Sequence, residues 1–162
     1  MHPYSPPPPR TALCPARSQP PALGPGSQPH RGLVLSLTLP GDPRSASVGR
    51  RAVTAALPTC GFRSHAWPVA HVVGELIAVN AALTPGRDLY LSLRHRDGAL
   101  RLVLWDQHAR HADPDALALC GARRRRALWL LAAVVDDWGG EWGLAGAQPP
   151  DLGVKSWVVL PR

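Results

Sequence analysis

The chain is almost without lysine: Lys155 is the only one in 162 residues, so the formal charge of +7 rests on arginine. Cysteine is scarce as well. Cys14, Cys60 and Cys120 are odd in number and widely spaced, which argues against a disulfide framework and leaves no Cys-x-x-Cys metal motif. No continuous apolar run reaches the length of about 18 residues that a bilayer demands, so no membrane span is expected. The opening Met1-His2-Pro3-Tyr4-Ser5-Pro6 lacks the apolar stretch of a secretory signal, and a reducing cytoplasm is the expected setting. There is no Gly-x-Ser-x-Gly elbow and no Ser-His-Asp order, which argues against a serine hydrolase. The seven histidines show no metal-ligand spacing. His108, His111 and Asp113 form only a loose polar group, and zinc is not expected there.

What is present divides into two parts. Residues 1–31 hold about half of the 19 prolines, including Pro6-Pro7-Pro8-Pro9. Such a segment cannot bury enough apolar surface to offset its ordering entropy, so a disordered arm is expected. Residues 32–162 are long enough for one domain of ordinary size. Arginine, alanine, proline and glycine are abundant together, the pattern of a GC-rich coding bias. The charges do not alternate with aromatics along the chain, so no direct contact with nucleic acid is expected.

Periodicity supplies the elements. Leu33 to Leu39 alternates as a strand, with Ser36 and Thr38 set against Leu35 and Leu37. Asp42-Pro43 is an N-cap followed by proline at the first helical position, and a helix is expected to run to about Leu57 and stop at Pro58. A second helix starts near Trp67-Pro68, its buried stripe being Val69, Val72, Val73, Leu76, Ile77 and Leu83. Strands near 88–95 and 99–105 are joined by Asp97-Gly98, a strong hairpin signal. A loop from Asp106 to about Asp115, a helix over Leu128–Val135, a strand near 138–142 and a last strand over 155–160 complete the reading. The expected class is α+β, a mostly antiparallel sheet with helices on one face.

Four segments carry chemistry: Gly74-Glu75-Leu76-Ile77-Ala78-Val79-Asn80 on the second helix; Leu104-Trp105-Asp106 at a strand end; Arg123-Arg124-Arg125-Arg126-Ala127-Leu128 before an apolar helix ending in Trp138-Gly139; and Lys155-Ser156-Trp157. In this order they resemble the histidine-kinase-like ATPase family, and within it the small stand-alone proteins similar to anti-sigma-factor serine kinases. The likeness covers the folded part of the chain, and Asp42-Pro43-Arg44-Ser45 also looks like that branch.

The resemblance implies ATP and Mg²⁺ as ligands and a serine/threonine protein kinase activity, with Glu75 as the catalytic base. It implies adenine contact through Asp106, with the Ser156 hydroxyl nearby. Asn80 would hold the metal, and Arg126, Ala127 and Leu128 would stand at the phosphate-binding turn. It further implies a sigma factor or an anti-anti-sigma-like regulator as protein partner, and it admits a homodimer. The boxes are altered, however. The family's glutamate and asparagine stand four apart and share a helix face. Here Val79 takes the asparagine's place, and Asn80 is rotated by about 100° toward the buried stripe. A core amide without metal is therefore the competing role for Asn80. Asp106 lacks the glycines that usually follow it. Arg125 and Ala127 replace the two glycines that would let backbone amides approach phosphate. The arginines then sit at a helix start, where they repel its dipole and should attract an anion, either phosphate or an acidic partner. The alternative function is a catalytically inactive regulator on the same scaffold, with little or no ATP affinity.

Overall fold

Strand alternation decides where the core lies. The computed structural model describes residues 32–109, 111–147 and 152–162, and the proline-rich arm over 1–31 lies outside them. Strands β1 (Gly32–Leu39), β2 (Leu89–Arg96), β3 (Ala99–Asp106), β4 (Glu141–Gly146) and β5 (Val154–Pro161) form one antiparallel sheet in the order β1-β2-β3-β5-β4. With a side-chain period of two, Leu89, Leu91 and Leu93 of β2 point the same way as Leu100, Leu102 and Leu104 of β3. Val158 and Leu160 of β5 join them, and all eight are buried. The β2–β3 turn is built as the dipeptide promises: Asp97 and Gly98 both take positive φ, 53° and 74°.

The helices α1 (Ser45–Thr59), α2 (Ala66–Leu83), α3 (Pro114–Ala127) and α4 (Trp129–Asp137) sit on the inward face. This is the expected α+β arrangement. The Asp42 carboxylate accepts from the Arg44 amide at 2.7 Å in the turn ahead of α1, which begins only at Ser45, so Asp42-Pro43 does not take the expected cap and first helical positions. Pro58 stays inside the helix, which runs to Thr59. α1 packs closely on α2 because Gly49 has no side chain: a Cβ there would run into Ile77 and Val73. Along α2 the expected stripe is buried except for Leu83, which is half-buried. Arg63–Leu83 is long and apolar enough to cross a bilayer, but here α2 is the central helix of the core.

Two features depart from the sequence reading. First, the outer face of the sheet does interleave aromatic and basic side chains, because strand pairing brings together residues that are distant in sequence. Tyr90 stacks on Trp105 with ring centroids 4.7 Å apart, and Arg94 pairs with Arg101 along the same face. Second, α3 was not expected. Asp113 accepts from the Asp115 amide at 3.0 Å and Pro114 takes the first helical position, the same start signal as Asp42-Pro43. The helix breaks at Leu128 (φ −92°, ψ 21°) before α4 resumes. Arg124, Arg125 and Arg126 therefore occupy the last turn of α3 rather than the start of a helix. There the helix dipole favours cations, so the expected repulsion does not exist.

Candidate functional site

Asp106 ends β3 on the inward register, two residues beyond Leu104, and is fully buried at 0% exposure. A carboxylate in that position needs donors. One oxygen, Oδ1, accepts from the His108 amide at 2.8 Å. The other, Oδ2, forms an ion pair with Arg124 Nη1, whose side chain enters from α3 at 1% exposure. The same Nη1 donates to Asn80 Oδ1 on α2. Asn80, also 0% exposed, turns its Nδ2 back onto the Leu76 carbonyl at 2.6 Å. One arginine thus ties the end of the sheet to the central helix.

This arrangement settles where the expected site residues stand. Asp106 and Asn80 come together, and a guanidinium from the chain itself lies between them. Both polar ends of Asn80 are engaged internally, as the core-amide role requires. Ser156 faces inward on β5, diagonal to Asp106 across the β3–β5 pair, and is 1% exposed. Its Oγ, like Arg124 Nη2, has no hydrogen-bond partner among the described residues. Glu75 does not join the group. Five residues separate it from Asn80, which turns it about 140° around the helix. It is half-exposed and makes no hydrogen bond or ion pair with a described residue.

The third segment is corrected. Arg126 and Ala127 are exposed and Leu128 is a core residue at 0% exposure, so they do not form one phosphate-binding turn with Asp106. The Leu128 amide bonds to the carbonyls of Arg124 and Arg125 at 3.1 and 3.2 Å, closing α3 rather than facing a ligand. Of the four arginines, Arg123, Arg125 and Arg126 are exposed, and only Arg124 turns inward. The anion expected among them is, for Arg124, the chain's own Asp106. Four adjacent arginines gave no sign of which one would be buried. The missing signal was the α3 period, which a helix without an apolar stripe does not display.

The loop histidines also stand differently from the expectation. Asp113 is taken by its capping role, and Cys120 of α3 replaces it beside them. His108 Nε2 lies 3.2 Å from His111 Nε2 and 3.3 Å from Cys120 Sγ. All three residues line a cleft of about 670 Å³ that also reaches Arg124.

No protein-family model matches the chain, and neither does any curated protein. Among solved structures the chain is similar to a mycobacterial sensor histidine kinase, MprB, at 20% identity and a TM-score of 0.43, over 59% of this chain and 73% of that one.

Proposed function

We propose that this chain is a non-catalytic regulator on a histidine-kinase-like ATPase scaffold. In this reading it works in the cytoplasm by binding a protein partner and has little affinity for ATP. The observation that carries it is the buried Arg124–Asp106 ion pair. In the resemblance Asp106 would receive the adenine amino group and Asn80 would hold Mg²⁺, and here one guanidinium engages both. A nucleotide would have to break that pair first. Breaking a buried pair costs about 3–5 kcal/mol, or roughly two to nearly four orders of magnitude in affinity. A positive charge next to Asn80 also opposes a metal ion. The displaced Glu75 removes the base from the polar group altogether. The exposed Arg123, Arg125 and Arg126 at the end of α3 form the surface for a partner with acidic residues, a sigma factor or an anti-anti-sigma-like regulator in the terms of the resemblance.

The second reading is an ATP-binding regulator, with serine/threonine kinase activity if catalytic. What favours it is that Asp106 and the unpartnered Ser156 hydroxyl share one inward face, as adenine contacts would require. Calorimetric titration of the full chain with ATP and ADP, with and without Mg²⁺, decides between them. Our reading expects Kd weaker than about 1 mM, near −4 kcal/mol. A Kd of about 10 µM or tighter overturns it in favour of the second. In the Arg124→Met variant, gain of ATP binding would show the guanidinium to be what excludes the nucleotide.

A further inference from the structure

The geometry points to a zinc site at His108, His111 and Cys120, with its open coordination position toward the adjoining cleft. Tetrahedral zinc with Zn–N near 2.0–2.1 Å and Zn–S near 2.3 Å sets nitrogen ligands about 3.3 Å apart and nitrogen and sulfur about 3.5 Å apart. The observed separations are 3.2 Å between the two histidine Nε2 atoms and 3.3 Å from His108 Nε2 to Cys120 Sγ. All three donor atoms lie within 4.8 Å of one another. Two of the three separations thus match the edges of such a tetrahedron, and the third closes to within 4.8 Å. A thiolate with two imidazoles is a donor set that zinc prefers and that magnesium and calcium do not. The side chains are half-buried, shielded enough to be held and open enough to be reached. Binding requires neutral histidines and an ionised cysteine, so the thiol proton leaves as the ion enters. The net added charge is then one, beside the Arg124–Asp106 pair.

The site's place in the chain gives it a consequence. The His108 amide donates to Asp106 Oδ1, and Asp106 Oδ2 pairs with Arg124. Arg124 follows Cys120 by four residues on α3, so the two side chains rise from one helix face. An ion joining His108 to Cys120 closes this loop of contacts: Asp106, His108, metal, Cys120, one turn of α3, Arg124 and back to Asp106. Zinc would therefore clamp α3 in the position that keeps Arg124 inside. This inference concerns the cysteine–histidine cluster and does not depend on whether a nucleotide binds.

The test uses the full chain, reduced and stripped of metal, titrated with Co²⁺ and then with Zn²⁺. One equivalent of Co²⁺ should give a thiolate-to-cobalt charge-transfer band with the visible bands of tetrahedral cobalt, and Zn²⁺ should erase them. Cys120→Ser should abolish the charge-transfer band, and His108→Ala should weaken Zn²⁺ binding tenfold or more. The Cys14→Ser/Cys60→Ser double variant should keep the full signal. At a hundredfold excess over Kd, Zn²⁺ should raise the Tm of the parent by roughly 5–10 °C and leave that of Cys120→Ser unmoved. Far-ultraviolet circular dichroism of each metal-free variant establishes that it is folded. A band that survives Cys120→Ser, or no stoichiometric cobalt signal in the folded parent, would overturn the proposal.

Discussion

α2 and α3 approach the same buried polar group from two sides and are held in opposite ways. α2 buries nine of its 18 residues; eight of them are apolar side chains, glycine or proline, and the ninth is Asn80. α3 buries one of 14, and that one is Arg124. Leu117 and Leu119 on α3 are 48% and 54% exposed. Burial of apolar area is non-directional and adds up over many contacts, so α2 tolerates small displacements. α3 depends on an ion pair, a cap and a side-chain cluster, each directional and each lost when the geometry goes. The element that closes the site is thus the one least anchored to the core, which is what a movable part requires.

The strongest way to break this contrast is to remove one half of the ion pair. Asp106→Ala or Arg124→Ala should each destabilise the fold by about 3–5 kcal/mol in urea unfolding, because each leaves an uncompensated buried charge. Asp106→Ala/Arg124→Ala should cost far less than the sum of the two, since neither charge then remains. Additive losses in that cycle would mean that the two groups do not act as a pair.

The next comparison sets leucine against leucine. Leu76→Ala on α2 should cost about 2–5 kcal/mol through the cavity it leaves. Leu119→Ala on α3 should stay within about 0.5 kcal/mol, since the side chain is already in solvent. In hydrogen exchange, α3 amides should open locally while α2 amides exchange only on global unfolding. Equal protection of the two helices would show that α3 is as firmly held as α2.

The same contrast explains what was legible in the sequence. β1 to β3, β5 and α2 announce themselves because their burial is apolar and periodic: Leu89, Leu91 and Leu93 alternate, and Val69, Val72, Val73 and Leu76 recur at helical spacing. The hairpin at Asp97-Gly98 is readable from two residues because the turn demands positive φ at both. α3 is hidden for the complementary reason. Its start at Asp113-Pro114 carries the same signal as Asp42-Pro43, but no apolar stripe follows, so the signal is easily passed over. With α3 unread, the arginines fell at the wrong end of a helix. Asp106, Asn80 and Ser156 could be named from their place in the ordered segments. Arg124, the group that joins the first two, could not be singled out, because a buried arginine in a run of four looks like its solvated neighbours.

That overlooked cap gives a smaller prediction. Asp113→Ala removes the acceptor for the Asp115 amide and should cost about 1 kcal/mol, within the usual 0.5–2 kcal/mol for a lost N-cap. The loss should appear mainly as faster exchange along α3, with α2 unaffected. If the cost were instead spread over the whole domain, α3 would be part of the global cooperative unit and not a separately opening one.

The last expected effect has the opposite sign. Ser156 is buried on the inward face of β5, and its hydroxyl meets no hydrogen-bond partner among the described residues. A buried hydroxyl left unsatisfied costs about 1–3 kcal/mol, so Ser156→Ala should gain roughly 1 kcal/mol in urea unfolding. Around α2 the one buried side-chain amide, Asn80, is bonded at both ends, and no comparable gain is available there. The two proposed functions then separate in one variant. If the chain has no use for a nucleotide, Ser156→Ala is more stable and otherwise silent. If Ser156 contacts a bound base, the same variant gains stability and loses measurable ATP affinity, and a loss of stability instead would show that the hydroxyl has a partner after all.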